Sequence, residues 1–170
     1  MRNKLASALL IASIFAWGIW CGGQLANETM IIPIWSASPP ESVKAFVELP
    51  RAGGAPFFLI FGPLFVVLAI AATLAAWKSA RRSRKWLALS AGTAIVLFAS
   101  LMLYLIPLIG SVFQHSIAGD LPAAEIVAGV EQWKSGNQIR MIVELIGFVF
   151  SIIALRVWSG ENASSDERAG

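Results

Sequence analysis

Three polar residues near the start of an apolar segment are the first candidates for chemistry. The segment reads QWKSGNQIRMIVELIGF from Gln132, and it carries Asn137, Arg140 and Glu144 within two helical turns. At about 100° per residue these side chains share a helical face with Trp133. A carboxylate can act as a base, while a guanidinium and an amide can stabilise an enolate. We therefore predict Glu144, Arg140 and Asn137 as catalytic residues and Trp133 as a substrate-binding residue.

A second polar stripe lies near the N-terminus. Cys21, Gln24 and Glu28 share one helical face. Farther along the chain, Tyr104 offers a hydroxyl close to Pro107, which removes a helical hydrogen bond. We predict Gln24, Glu28 and Tyr104 as substrate-binding residues. The two stripes should face the interior of a bundle.

The composition excludes an ordinary soluble domain, because 57% of the 170 residues are hydrophobic and only 14% are charged. Three uncharged runs are longer than the about 20 residues that a helix needs to cross a hydrocarbon core about 30 Å thick. A fourth apolar run, from Met141 to Trp158, is interrupted by Glu144 and Arg156, and four spans are the economical count. We predict an all-α integral membrane four-helix bundle with up-down-up-down connections and short extracytoplasmic helices. The membrane domain covers residues 1–158, and residues 159–170 form a disordered cytoplasmic tail. The predicted spans are residues 5–27, 55–77, 86–109 and 139–158.

The two longer loops each predict a short helix outside the spans. Ser38 is a candidate N-cap for the first of these helices. Asp120 is a candidate N-cap for the second, and Gly136 is a position where it could stop or bend.

The first span allows two interpretations. Arg2 and Lys4 precede an apolar run that ends in small residues, as in a cleaved signal peptide. The run is longer than a normal signal core, and Trp17 and Trp20 lie where a cleavage site requires small residues. Retention of the span is the favoured interpretation.

Charge distribution predicts the orientation. The sequence KSARRSRK, residues 78–85, places five cations between the second and third spans, and such clusters mark cytoplasmic loops. We predict a multi-pass protein of the plasma (inner) membrane with both termini in the cytoplasm. The basic pI of about 9.4 then reflects topology and contact with membrane lipid, and it does not require a nucleic-acid partner.

Two roles are open for the polar residues of the fourth span. If Trp158 marks the inner boundary, Glu144 lies about 21 Å above it, within the hydrocarbon core. Glu144 and Arg140 can line an outward-facing pocket, or they can form a local ion pair that closes the bundle. Pro63 and Pro107 fall in the same outer half and favour the pocket.

Several other residues are weaker candidates for function. His115 has no acidic residue at a helical spacing, so a surface position is favoured, and no metal site is predicted. The single cysteine, Cys21, excludes a redox pair. Most tryptophans are expected to anchor the helices at the membrane interface. Gly18 and Gly22 form a small-residue face through which the protein could form an oligomer.

The order of these features resembles the anthrone-oxygenase-like family of small four-span membrane proteins. The resemblance rests on GGQLANETMIIPIW after the first span, YLIPLIG at the end of the third, and WKSGNQIR before the fourth. Trp133, Asn137 and Arg140 match the family's Trp, Asn or His, and Arg pattern. Many members have His where this chain has Asn137, and the family's Asn after the proline is replaced here by Leu108. The resemblance implies a four-span fold and oxidation of an apolar aromatic substrate without a metal or flavin cofactor.

Two functions are therefore open. The first is a cofactor-independent oxygenase that acts on a planar apolar aromatic molecule. The alternative is a membrane module without enzymatic activity that binds lipid, quinone or a partner protein.

The orientation can be tested with a reporter fused after Gly170. We expect a reporter that works only in the cytoplasm to be active at this fusion point, because the cation cluster at residues 78–85 predicts a cytoplasmic loop and a C-terminus on the same side of the membrane. Activity of an exported reporter at the same fusion point would contradict the prediction.

Overall fold

The fold is all-helical over the part of the chain that the structure, a computed structural model, describes. The backbone is described for residues 2–49 and 55–166, and side chains for residues 4–49 and 57–161. No β-strand occurs in these ranges. The α-helices are α1 Arg2–Ala26, α2 Ile32–Trp35, α3 Glu41–Val47, α4 Ala55–Ala76, α5 Arg84–Ser100, α6 Ile106–Ala118 and α7 Ala123–Asp166.

Four helical stretches are long and apolar enough to cross a membrane. Each has a window of mean hydropathy between 1.8 and 2.6, and α1 with α2 and α5 with α6 each form one continuous stretch. The prediction of an all-helical protein with four candidate spans is confirmed. The stretches are Lys4–Trp35, Phe57–Ala76, Arg84–Ala118 and Ala123–Glu161.

The last helix differs from the predicted arrangement. A separate short helix was expected before the fourth span, but α7 runs without a break from Ala123 through Gly136 to Asp166. Asp120 is not its N-cap, because the first turn closes on the carbonyl oxygen of Pro122. A disordered tail was expected from residue 159, yet the helix continues past Glu161.

Contacts with the loop after α4 explain why the end of α7 is ordered. The carboxylate of Glu161 accepts hydrogen bonds from the backbone N–H groups of Arg82 and Ser83, at 2.5 and 3.2 Å, and from the Ser83 hydroxyl at 2.7 Å. Ser83 lies directly before α5, whose first N–H groups have no partner within the helix. Glu161 therefore connects the last part of α7 to the loop directly before α5.

Three apolar clusters fill the interior from one end to the other. The cluster at what we call the basic end, next to residues 78–85, comprises Ala6, Leu10, Ala72, Ala76, Ala80, Leu87, Ala154 and Trp158. The central cluster comprises Ala16, Trp17, Trp20, Phe65, Val66, Ala69, Ala91, Ala94 and Leu97. We call the opposite end the capped end, because the short helices α2 and α3 contribute to its cluster. This cluster comprises Ile32, Trp35, Val43, Phe46, Leu105, Val112, Ile126, Val130 and Trp133.

Two prolines alter the helices near the capped end. Proline has no N–H to donate and its ring collides with the carbonyl four residues earlier. The turn before each proline has widened to π geometry, at Asn27–Ile31 before Pro33 and at Leu101–Leu105 before Pro107. The N–H groups that close these turns bond five residues back, from Ile32 to Asn27 and from Ile106 to Leu101. Such π turns occur often at functional sites.

The close packing of α7 on its neighbours predicts a position-specific effect of adding a methyl group. A Cβ at Gly147 would lie 2.6 Å from Trp17 and 2.8 Å from Thr93, and the Trp17 ring is fully buried. We expect Gly147→Ala to destabilise the protein by about 1–3 kcal/mol, measured by thermal unfolding in detergent. Gly92 is the matched control, because a Cβ there meets nothing within 4 Å. Equal stability of the two variants would contradict this packing.

Candidate functional site

A buried ion pair forms the centre of the site. The guanidinium Nη1 of Arg140 lies 2.5 Å from Oε1 of Glu144, one turn along α7. The side chains are 4% and 1% exposed. The indole N–H of Trp20 on α1 donates to the same carboxylate oxygen at 3.0 Å. Glu144 therefore connects α7 with α1 through one oxygen atom.

A chain of hydrogen bonds extends from this pair towards the surface. Arg140 donates from Nη2 to Oδ1 of Asn137 at 2.7 Å. Asn137 donates from Nδ2 to Oε2 of Glu28 at 2.7 Å. Glu28 is partly buried and also accepts a long bond of 3.5 Å from the exposed side chain of Gln138. The chain thus links a half-buried carboxylate at the end of α1 to a fully buried one inside the bundle.

The helical repeat explains why these side chains meet. Residues three and four apart are neighbours on a helix surface, so Asn137, Arg140 and Glu144 form one row on α7. The other faces of α7 are different: every exposed residue between Ile139 and Ile152 is a Val, Leu or Ile. If α7 crosses a membrane, Glu144 lies at the depth of hydrocarbon, where an unpaired charge is costly. The ion pair and the Trp20 bond satisfy that charge within the protein.

A cavity of about 330 Å³ adjoins this row near the capped end. Five aromatic side chains form much of its wall, so we call it the aromatic cavity; they are Trp35, Phe46, Phe58, Phe113 and Trp133. Four polar side chains also line it, and they are Gln24, Asn27, Asn137 and Arg140. Both π turns contribute to the wall, through Asn27 and Ile31 and through Leu101, Met102 and Leu105. Flat aromatic walls with a few polar groups are typical of a small-molecule site.

Polar atoms in and beside this cavity lack partners among the described residues. They are Nε of Arg140 and Oε1 of Gln24, which belong to wall residues, and Oε2 of Glu144 and Nε1 of Trp17, which lie deeper. Gln24 is 1% exposed and Arg140 5% exposed. Buried polar groups in folded proteins usually have partners. Arg140 and Gln24 therefore each have one polar atom without a partner among the described residues, and both residues line the cavity.

A second cavity of about 510 Å³ lies between α5 and α7. Most of its exposed wall is apolar and includes Val96, Leu97, Leu105, Ile139 and Val143, so we call it the aliphatic cavity. Polar side chains also line it, and they are Ser100, Tyr104, Gln132, Ser135 and Arg140. Arg140 and Leu105 belong to the walls of both cavities. The two spaces are therefore neighbours that share the guanidinium residue.

The structure brings most of the predicted site residues together. Gln24, Trp133, Asn137 and Arg140 all line the aromatic cavity, and Trp133 is fixed by donating its N–H to the carbonyl oxygen of Leu105 at 3.1 Å. The predicted inward orientation is confirmed for Gln24, Asn137, Arg140 and Glu144, which are buried. Cys21 and Glu28, the other members of the N-terminal stripe, are only partly buried.

Three predicted residues lie outside the aromatic cavity. Glu144 is behind Arg140, and Glu28 lies at the outer end of the hydrogen-bond chain. Tyr104 lines the aliphatic cavity, and its hydroxyl accepts a bond from Gln132 at 3.0 Å. Through these contacts Glu144 and Glu28 hold Arg140 and Asn137, and Tyr104 holds Gln132.

The expectation that most tryptophans are interfacial anchors was wrong. Five are buried within the protein, and these are Trp17, Trp20, Trp35, Trp133 and Trp158. They pack against other rings, as Trp20 does on Phe65 with centroids 4.9 Å apart. The positions of Trp17 and Trp20, two turns and one turn before Gln24, were a usable signal, because they place indole rings beside the polar stripe.

His115 has an acidic partner that helical spacing did not predict. Its Nδ1 lies 2.8 Å from Oδ1 of Asp120, across a left-handed turn at Gly119 with φ of 67°. The hydrogen bond with His115 lowers the pKa of the exposed Asp120 carboxyl. The pair closes the connection from α6 to α7, so a structural role at the surface explains it. No group of three metal-ligating side chains occurs within residues 4–49 and 57–161.

The small-residue face on α1 has two different environments. A Cβ at Gly18 would contact Phe148 of the same chain at 3.8 Å, whereas one at Gly22 would meet nothing within 4 Å. Assembly through this face stays a prediction.

No family model, curated protein or solved structure matches the chain. The relation to the anthrone-oxygenase-like family therefore stays a prediction based on the motifs themselves.

The ion pair predicts a clear difference between single and double replacement. Glu144→Leu leaves the Arg140 charge buried without a partner, which costs about 3–5 kcal/mol in proteins. We expect the double variant Arg140→Met with Glu144→Leu to recover most of that loss, because it removes both charges. Thermal unfolding in detergent measures both effects.

An exposed pair on the same helix serves as the control. Lys134 and Glu131 are 3.0 Å apart, with side chains 30% and 61% exposed. Glu131→Leu should change stability by about 1 kcal/mol or less. If Glu144→Leu were equally harmless, the buried pair would not be the structural centre described above.

Proposed function

We propose that the protein binds a planar apolar molecule with an oxygen-containing polar group in the aromatic cavity. The observation that carries this proposal is the position of Arg140. Two of its nitrogens are held by Glu144 and Asn137, while Nε has no partner among the described residues and the residue lines a cavity rich in aromatic rings. A guanidinium fixed in this way is preorganised to donate to a ligand oxygen.

The charge of the site favours a neutral or weakly acidic ligand. Arg140 is already paired with Glu144, and Glu28 lies one hydrogen bond beyond Asn137. A ligand that brought a full negative charge would compete with Glu144 for the guanidinium. A carbonyl or phenol oxygen can use the free Nε donor without that competition, and Oε1 of Gln24 can accept from a hydroxyl.

The resemblance to anthrone oxygenases extends this proposal to catalysis. In such a reaction the methylene carbon of an anthrone loses two hydrogens and gains one oxygen atom from dioxygen, and the other oxygen atom leaves as water. Donors at Arg140 and Asn137 would stabilise the oxygen of the bound ketone as it shifts to its enol tautomer, in which one methylene proton has moved to that oxygen. We assign Glu144 mainly to holding Arg140, because it lies behind the wall of the cavity. This scheme uses no metal or flavin.

A binding module without enzymatic activity is the second candidate. The same geometry favours it, because the carboxylates that could act as bases are already engaged. Both oxygens of Glu28 accept hydrogen bonds, and Glu144 already has two donors. Recovery of an unchanged apolar molecule with the purified protein would favour this candidate, and oxygen-dependent turnover that is lost in Glu144→Gln would favour the enzyme.

We also propose a location in the plasma (inner) membrane with up-down-up-down helices and cytoplasmic termini. The cluster at the basic end supports this, because it combines Ala6 near the start of α1, Ala76 at the end of α4, Leu87 near the start of α5 and Trp158 late in α7. The cations next to this cluster give the orientation. The aromatic cavity would then lie in the outer half of the membrane.

Binding can be tested with anthrone and with a naphthoquinone that has no side chain. We expect at least one of them to quench tryptophan fluorescence at saturable concentrations, because Trp35 and Trp133 form part of the cavity wall. A hydroxylated form of the bound ring should bind about two- to tenfold more weakly to Gln24→Leu, which lacks the acceptor. Gln24→Leu should fold normally, since it removes an unsatisfied buried polar atom.

Gln138→Leu is the matched control, because Gln138 is exposed and lies outside both cavities. It should bind like the parent. Absence of saturable quenching by either ring, or an equal loss in both variants, would contradict the proposed site.

A further inference from the structure

The two cavities differ in the chemistry of their walls. The aromatic cavity is bordered by five aromatic rings and by the polar side chains of Gln24, Asn137 and Arg140. The main wall of the aliphatic cavity is branched and apolar, from Val96 and Leu97 on α5 to Ile139 and Val143 on α7. A flat ring packs well on aromatic faces, whereas a flexible methylene chain fits a space between branched side chains.

The two cavities share part of their walls. Arg140 and Leu105 belong to both walls, and Leu105 lies in the π turn before Pro107. The neighbouring position on α7 is Gly136, where a Cβ would lie only 3.1 Å from Leu105. A side chain at position 136 would therefore push Leu105 away from the boundary, and glycine leaves this space open.

The aliphatic cavity also faces the surroundings of the bundle. Val96 and Ile139 at its wall are 63% and 66% exposed. If α5 and α7 cross a membrane, this mouth opens into hydrocarbon. On the side of the capped end, the hydrogen bond from Gln132 to Tyr104 lies at the rim. An apolar chain could thus lie in the cavity and continue towards the lipid.

We propose that the ligand carries a long aliphatic chain, and that this chain occupies the aliphatic cavity while its ring occupies the aromatic cavity. The inference rests on the proposed function and adds to it the class of ligand: a planar ring with one polar oxygen group and one aliphatic tail. Arg140 lies at the junction, where it contacts the ring's oxygen through Nε and borders the chain through its own methylene groups.

Photolabelling tests this placement directly. The probe is whichever of the anthrone or naphthoquinone rings binds more tightly, extended by a decyl chain with a diazirine at its end. The parent protein in phospholipid nanodiscs is irradiated with the probe, and labelled peptides are identified by mass spectrometry. We expect most of the label on residues 96–105 and 132–143, and we expect an excess of the chainless ring to remove it.

A matched pair of variants controls for lipid-facing labelling. Val96→Trp fills the mouth of the aliphatic cavity and should lose most of this labelling, while the chainless ring still quenches tryptophan fluorescence. Ile95→Trp alters the adjacent exposed residue, which does not line the cavity, and should label like the parent.

Each other outcome is decisive against the inference. Label spread over other helices, or equal labelling of the two variants, would show that the chain lies in lipid. Label in the aliphatic cavity that the chainless ring does not displace would show an independent lipid site. Failure of both chainless rings to bind would overturn the proposed function together with the inference.

Discussion

The structure depends on one constraint: the charge of Glu144 must be satisfied inside an apolar bundle. Its carboxylate is 1% exposed and lies on a helix whose outward side chains are all apolar over the same stretch. In such surroundings a bare charge is costly, so its partners have to be supplied by the protein. Arg140 supplies the counter-charge and Trp20 supplies a second donor. This contact brings α1 close to α7. The close approach requires a residue without a side chain at Gly147, where a Cβ would collide with Trp17.

The same constraint orients the guanidinium of Arg140 for binding a ligand. Because Glu144 and Asn137 hold Nη1 and Nη2, the guanidinium has a fixed direction, and Nε is its one nitrogen atom without a partner among the described residues. The π turns before Pro33 and Pro107 widen the helices on the other side of this group. The buried charge of Glu144, the oriented guanidinium of Arg140 and the aromatic cavity therefore lie together near the capped end. The basic end contains small residues such as Ala72 and Ala76 and packs closely.

Sequence alone predicted the features that depend on one helix. The apolar runs gave four candidate spans, and spacings of three and four gave the row of Asn137, Arg140 and Glu144. Features that depend on contacts between helices were missed. The bond from Trp20 to Glu144 joins residues 124 positions apart, and no periodicity within one segment reveals it. The π turns were also missed, because a proline predicts a disturbed helix but does not predict how the backbone adjusts.

Turn geometry accounts for the remaining differences. The partner of His115 is Asp120, five residues away, and the two meet only because Gly119 adopts a left-handed conformation. Gly136 predicts a stop or bend between a short helix and the fourth span, because glycine often ends a helix. In the structure a helical glycine there allows close contact with Leu105, and the helix continues.

The most direct test of the central claim is ligand binding by a protein that lacks the buried pair but still folds. The variant Arg140→Met with Glu144→Leu removes both charges, and its affinity for the ring that binds the parent can be measured by tryptophan quenching. The account predicts a folded protein that no longer binds the ring, because the fixed donor at the cavity wall is gone. A double variant that folds and binds the ring as tightly as the parent would contradict it, and the pair would then serve only to hold the helices together.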